Sequence, residues 1–251
     1  MILARITEAL RAQNWFAVAI EFVIVIAGVV IGFQITAWNG ERDDRRREAA
    51  YVLEIREDVR TELAEIRQSL ESARMRIASV NAILEAALGE EPRWTVYDAP
   101  GMPAMEPVVL PEGIGDDALI LSAAYMRTID PVHGAWDMMM STGDVSVMTD
   151  ADLVRQIQSY RARLTSVVDL EQFIRTFMPG IDAERRAAGL GLGQTMPLDQ
   201  LSELIRTRPE LAAGLRTTRN FAFVQVDDLQ SLEAEALSLV DSLQVRAGDA
   251  P

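Results

Sequence analysis

The sequence predicts an all-α protein: an N-terminal transmembrane helix that continues into an antiparallel bundle of long helices. Three observations predict it. An uncharged apolar run covers 22–37, apolar residues beyond it recur in steps of three and four over three long stretches, and strand-like alternation is nearly absent. Helices with one apolar stripe can bury it only on one another, which makes a bundle.

The elements follow in chain order. Residues 1–14 form a tail in which Ile2, Leu3, Ile6 and Leu10 recur at helical spacing, as in a helix lying along a membrane surface. Residues 15–38 are the anchor. Glu21 is its only ionisable side chain, Trp15 and Trp38 stand at its two ends where aromatic rings favour the interface, and about 20 apolar residues suffice to cross the hydrocarbon core. No small-residue pair suited to signal-peptide cleavage follows Ile31, so the anchor reads as uncleaved. No second stretch of that length follows, so the chain is expected to span once.

Residues 39–89 read as a long amphipathic helix. After a solvated charge block at 41–48, its stripe is Ile55, Val59, Leu63, Ile66, Leu70, Ala73, Ile77, Val80, Leu84 and Ala87, with Gly89 and Pro92 to end it. Over 39–88 such a helix spans about 75 Å and can be one rod with the anchor. Residues 90–116, rich in Pro and Gly, form a loop, with a short extended piece at 94–97. The remaining bundle, 117–251, starts with short helices at 117–128 and 131–141, the second closed by Gly143. Thr149-Asp-Ala-Asp152 matches a capping box opening a helix with Leu153, Ile157, Tyr160, Leu164, Val167, Ile174 and Phe177 on its apolar face, stopped at Pro179-Gly180. A Gly-rich joint at 189–193 and a short helix at 198–206 lead to the last helix, whose stripe is Leu211, Leu215, Ala222, Val226, Leu229, Leu232, Ala236, Val240 and Leu243.

Composition excludes several chemistries. With no Cys among 251 residues there is no disulfide, thiolate zinc site or cysteine nucleophile. All 24 basic residues are Arg, which removes lysine Schiff-base and P-loop mechanisms, and the single His, His133, removes multi-histidine metal sites. The net charge of −14 argues against a nucleic-acid partner, because phosphate neutralisation requires a basic surface.

The candidate partner face lies in the anchor. At 100° per residue Glu21, Gly28 and Gly32 fall near one line, and Asn39 extends it. Gly28-Val-Val-Ile-Gly32 is a GxxxG, which lets two helix backbones approach closely in lipid. Two readings stay open. Either this face meets another helix in a homo- or hetero-oligomer, or the glycines are ordinary for a membrane helix and Glu21 snorkels to the headgroups.

The segment 14–39, with an acidic residue entering the span, a Gly-rich Val/Ile run and Gln34-Ile-Thr-Ala-Trp-Asn39 closing it, resembles the anchor of an uncharacterised bacterial family of single-span helical proteins. Trp136-Asp-Met-Met-Met-Ser-Thr-Gly143 followed by 153–160 resembles a later pattern of that family more loosely. The resemblance implies a membrane-anchored helical domain of unassigned function and carries over no catalytic residues.

No catalytic constellation is visible, and neither a cofactor nor a metal is expected. Gly189-Leu-Gly-Leu-Gly193 follows a helix rather than a strand, so it reads as a joint and not a dinucleotide loop. The acids Asp144, Asp150 and Asp152 lack the pattern of a calcium loop and read as helix caps. His133 beside Trp136 and Asp137 has no nucleophile at readable spacing, and Met138-Met-Met140 reads as adaptable core packing. The expected function is an interaction or scaffold module for a membrane or envelope complex. The alternatives are a ligand-sensing helical domain or a subunit of an ion-driven complex using Glu21. Arg42, Arg45, Arg46 and Arg47 after the span favour a cytoplasmic bundle, but long domains translocate regardless of charge. The expectation is therefore the bacterial inner membrane with a periplasmic bundle.

Overall fold

The computed structural model describes residues 15–95, 105–112, 114–191 and 193–248. The expected surface helix of the tail and most of the extended piece at 94–97, including Val96 and Tyr97, lie outside the described residues. Helix α1 (Trp15–Leu88) is followed by a 3-10 turn (Asp116–Ala118), α2 (Leu119–Ala124), α3 (Ala135–Thr142), a second 3-10 turn (Asp144–Val147), α4 (Ala151–Ala187), α5 (Leu198–Thr207) and α6 (Pro209–Gly248). There is no strand among the described residues.

The chain forms two units, 1–50 and 51–251. The described part of the first unit is the N-terminal portion of α1. Its most apolar 18-residue stretch has a mean hydropathy of 2.5 and no part of it is buried, and Gly40 leaves the helical backbone unbroken.

In the second unit three long helices carry the core. Pairs between side chains fix their directions: Arg67 with Glu233 and Asn81 with Arg219 set α6 antiparallel to α1. Glu62 with Tyr160 and Ser69 with Glu171 set α4 parallel to α1. Helices α4 and α6 are antiparallel, with Gln156 on Ser238 and Arg163 on Asp228. A parallel α1–α4 pair needs a long return connection, and residues 89–150 supply it. Every residue of the stripe predicted in α1, from Ile55 to Ala87, is buried, as is every one predicted in α6. A second cluster at the far end packs Val80, Ile83 and Leu84 against Leu119, Ile120, Leu201, Ile205 and Leu215.

Local signals set most ends. Gly89, at φ +67, closes α1 with its N–H on the Glu85 carbonyl. Gly143, at φ +80, closes α3. The cap of α4 is Asp150 rather than Thr149: its carboxylate accepts from the N–H groups of Asp152 and Leu153.

Four expectations need correction. Helix α4 passes through Pro179-Gly180 and ends at Ala187. Proline forfeits one helical hydrogen bond, but the turns beyond it are held by tertiary packing, with Ile181 against Gly214 and the following Leu190 buried in the second cluster. Phe177 is 45% exposed rather than in the core. Of the three consecutive methionines only Met139 is buried, while Met138 and Met140 face outward, as the pitch of a helix requires. Finally, the short helices are shorter than expected, because 125–134 is irregular chain lying against α1 and α4.

Ile66 sits at full burial in the main core. Ile66→Ala should cost about 2–5 kcal/mol of unfolding free energy. Phe173→Ala, at an exposed position, should change stability by well under that amount. Urea denaturation of the two variants checks the contrast.

Candidate functional site

The return segment 125–134 creates a physical problem. It runs through the protein without helix or sheet partners, Ile129 is buried, and its backbone polar groups need partners of their own. Side chains supply them. Asp58 Oδ2 accepts from the Ala135 N–H at 2.8 Å. Glu62 Oε1 accepts from the Val132 N–H at 3.0 Å, and Glu171 Oε2 from the Ile129 N–H at 2.9 Å. Ser69 Oγ donates to the Arg127 carbonyl at 2.9 Å, and Ser72 Oγ accepts from the Arg127 N–H at 3.3 Å. Gly134 passes so close to α1 that a Cβ there would collide with the Asp58 carboxylate.

Two buried networks grow from these contacts. In the first, Glu62 is fully buried and also accepts from Tyr160 Oη and Arg161 Nη1, each at 2.8 Å. Arg161 reaches on to the Val132 carbonyl and to Asp137, which holds His133 Nδ1 at 2.9 Å. Burial holds the Glu62 carboxyl above its usual range, against the hydrogen bond from Tyr160 and the charge of Arg161. Burial likewise raises the Tyr160 phenol, with the Glu62 charge adding to it.

In the second network, Glu171 accepts from Gln225 Nε2 at 2.7 Å and from Ser69 Oγ at 3.0 Å. Gln225 in turn accepts from Arg76 Nη2. Arg76 is completely buried, and its Nε and Nη1 have no hydrogen-bond partner among the described residues. Desolvation pushes the Arg76 guanidinium down to about 10, and the Glu171 charge opposes that shift. Burial raises Glu171 despite the donors from Ile129, Gln225 and Ser69.

Buried carboxyls beside Arg and Tyr would suit proton transfer, but both carboxyls, Glu62 and Glu171, are also engaged by backbone N–H groups of the return segment. The network is built as structure. Sequence reading missed it, although a signal was present: Asp58, Glu62, Glu65, Ser69, Ser72 and Arg76 recur in steps of four and three, one position ahead of the apolar stripe. Such a row ordinarily reads as a solvated face, and here the return segment, α4 and α6 cover it together.

The other sequence candidates fall into place separately. Glu21, Gly28, Gly32 and Asn39 are all exposed on α1, and a Cβ added to either glycine meets nothing within 4 Å. His133 is 82% exposed at its side chain, whereas Trp136 is buried in the core, so the two do not form one pocket. Gly189 and Gly193 take positive φ in the turn after α4. Asp150 is a helix cap, and Asp144 accepts from the Tyr51 hydroxyl at 2.7 Å.

A concavity large enough for a ligand opens beside the return segment. A cleft of about 630 Å³ lies between α1, α2 and the C-terminal end of α4. Met75, Leu121, Ala124, Tyr125 and Met126 supply its apolar wall, and Glu71, Asp182 and Arg185 its charges. Pockets of 300–1,000 Å³ with an apolar wall and few polar groups are the usual form of small-molecule sites. Elsewhere Phe173 packs edge to face against Phe177 and Phe221, with centroids 5.0 and 6.4 Å apart, and the Phe177 and Phe221 rings lie tilted at 43° with centroids 5.2 Å apart.

Glu171 gives the network a pH signature. The folded protein holds its proton more tightly than the unfolded chain, so its contribution to stability is fully present below the ordinary value of 4.5 and is lost as pH rises through the raised folded value. Glu171→Gln, which mimics the protonated form, should therefore gain stability relative to wild type as pH rises from 4.5, and the gain should level off once wild type is ionised. Urea midpoints of the two proteins across pH measure it, and a pH-independent difference would count against buried ionisation. Glu171→Ala, which strands the Ile129 N–H, should cost about 1–3 kcal/mol at pH 4.5, and the cost should shrink as pH rises and wild type ionises.

No family model, curated protein or solved structure matches this chain.

Proposed function

We propose that this protein is a single-span membrane protein of the bacterial inner membrane whose helical domain serves as an interaction or scaffold module. One observation carries the reading. Every large apolar side chain from 18 to 38 is exposed on α1. Burying each such side chain is worth roughly 1.5–3 kcal/mol, so leaving the whole run in water would cost tens of kcal/mol. Lipid is the solvent that fits a helix of this length and composition. The resemblance of 14–39 to single-span bacterial anchors agrees with it, and we place the bundle in the periplasm.

Within the anchor, nothing among the described residues lies close enough to require Gly28 or Gly32, and we assign their value to approach by a second helix along the face that includes Glu21 and Asn39. The partner is either a second copy or a different chain able to donate to Glu21. A second reading, ligand binding by the bundle, is favoured by the cleft beside Tyr125 and Met75.

Sodium carbonate extraction of membranes should leave the protein in the pellet, and its intact mass should retain the anchor. Recovery in the soluble fraction with a shortened N-terminus would identify a cleaved export signal instead. Alkaline phosphatase fused after Pro251 should be active, and an inactive fusion would put the bundle in the cytoplasm. Crosslinking in membranes tests the face: Gly28→Leu or Gly32→Leu should weaken association by about 1 kcal/mol, whereas Val29→Leu, 100° round the helix, should not. Glu21→Gln keeps the shape and removes the charge. Lost cellular function with association intact in that variant would favour ion coupling over scaffolding.

A further inference from the structure

The cleft holds three charged groups, and they do not balance. Arg185 is buried and its Nη1 lies 3.1 Å from Asp182 Oδ1, so these two answer each other. Glu71 is exposed on α1 and has neither an ion-pair nor a hydrogen-bond partner among the described residues. The cleft therefore presents one uncompensated carboxylate at the edge of an apolar wall. We propose that it binds a lipophilic organic cation of drug-like size, with Glu71 as the counter-charge. This rests on the ligand-binding reading of the bundle and is independent of the anchor.

Three features support a cation over an anion or a neutral molecule. The unpaired charge in the cleft is negative, and the whole chain carries −14, which raises the local concentration of cations and repels anions. Tyr125 is 59% exposed at the cleft, where its ring face is available to a cation. Met75 and Met126 flank it with unbranched, polarizable thioethers that adapt to ligands of varied outline. Among the described residues the cation lining the cleft is Arg185, which is buried and gives its Nη1 to Asp182, so it offers an anionic head little.

The test uses the full chain in nanodiscs of zwitterionic lipid, read by equilibrium dialysis against empty nanodiscs. Tetraphenylphosphonium and tetraphenylborate are probes of matched shape and opposite charge. The phosphonium should bind saturably at one site per chain and the borate should not. Glu71→Gln should weaken phosphonium binding roughly twofold to fivefold, the worth of an exposed ion pair, and added salt should shrink that difference. Glu71→Arg, which reverses the charge on an exposed position, should weaken it by about tenfold. Met75→Trp, which fills the cleft, should remove binding of either probe. If that variant fails to fold, Glu71→Arg alone decides the site. Borate binding equal to or tighter than phosphonium binding would overturn the cationic class while leaving the cleft a ligand site. Saturable binding of neither probe would overturn the ligand reading itself, and phosphonium binding unchanged in Glu71→Arg would place it elsewhere.

Discussion

The bundle depends on keeping a stretch of irregular backbone inside a helical protein. Helices α1 and α4 run parallel, and a parallel pair requires the chain to travel back along its own length before α4 can start. Most proteins make that return over the surface, in water. Here 125–134 returns against the two helices, and its N–H groups are met by the carboxylates of Asp58, Glu62 and Glu171. An unpaired buried backbone donor costs about as much as a lost hydrogen bond with its desolvation. The polar row on α1 is thus a condition of the topology.

The carboxylates in turn need company, because burial penalises their charged form. Tyr160 and Arg161 serve Glu62, while Gln225 and Ser69 serve Glu171, and Arg76 stands behind Gln225. The raised carboxyls show that the compensation is partial. Buried networks of this kind fix one register among helices whose apolar stripes would tolerate sliding by a turn, since any slide would leave charges unpaired. Arginine suits the task better than lysine, with five donors in a planar fork that reach several acceptors at once. Arg161 shows the use: one guanidinium joins Glu62, the Val132 carbonyl and Asp137.

The two units of the chain obey opposite solvent rules. From Ile55 to Ala87 α1 hides its apolar stripe and, with Glu62 and Arg76, part of its charge, whereas between 18 and 38 it shows apolar side chains on every face. A helix apolar all round has no face left to turn toward water, and it must be covered by lipid or protein. The polar positions it does keep are Glu21, Gln34, Thr36 and Asn39, and the Thr36 hydroxyl turns back onto the Gly32 carbonyl.

The helical class, the end of α1 and the buried stripes of α1 and α6 were legible in the sequence, because a period of 3.6 residues and the positions of Gly89 and Gly143 act locally. The long apolar helix at 15–38 was legible for the same reason, being a matter of length and hydropathy. What lay beyond sequence reading was every feature that depends on a distant segment. Pro179 reads locally as a stop, yet Ile181 against Gly214 and Leu190 in the second cluster hold the helix past it. Phe177 continues the apolar spacing of α4 but faces outward with Phe173 and Phe221, because Arg175 and Glu171 turn the other faces toward the return segment. The row from Asp58 to Arg76 has the composition of a solvated face, and a buried and an exposed carboxylate are the same letter. Only the tertiary structure, by laying 125–134 across that row, decided which carboxylates lost their water. The reason is physical: periodicity states which residues share a face, and burial is decided by what covers it.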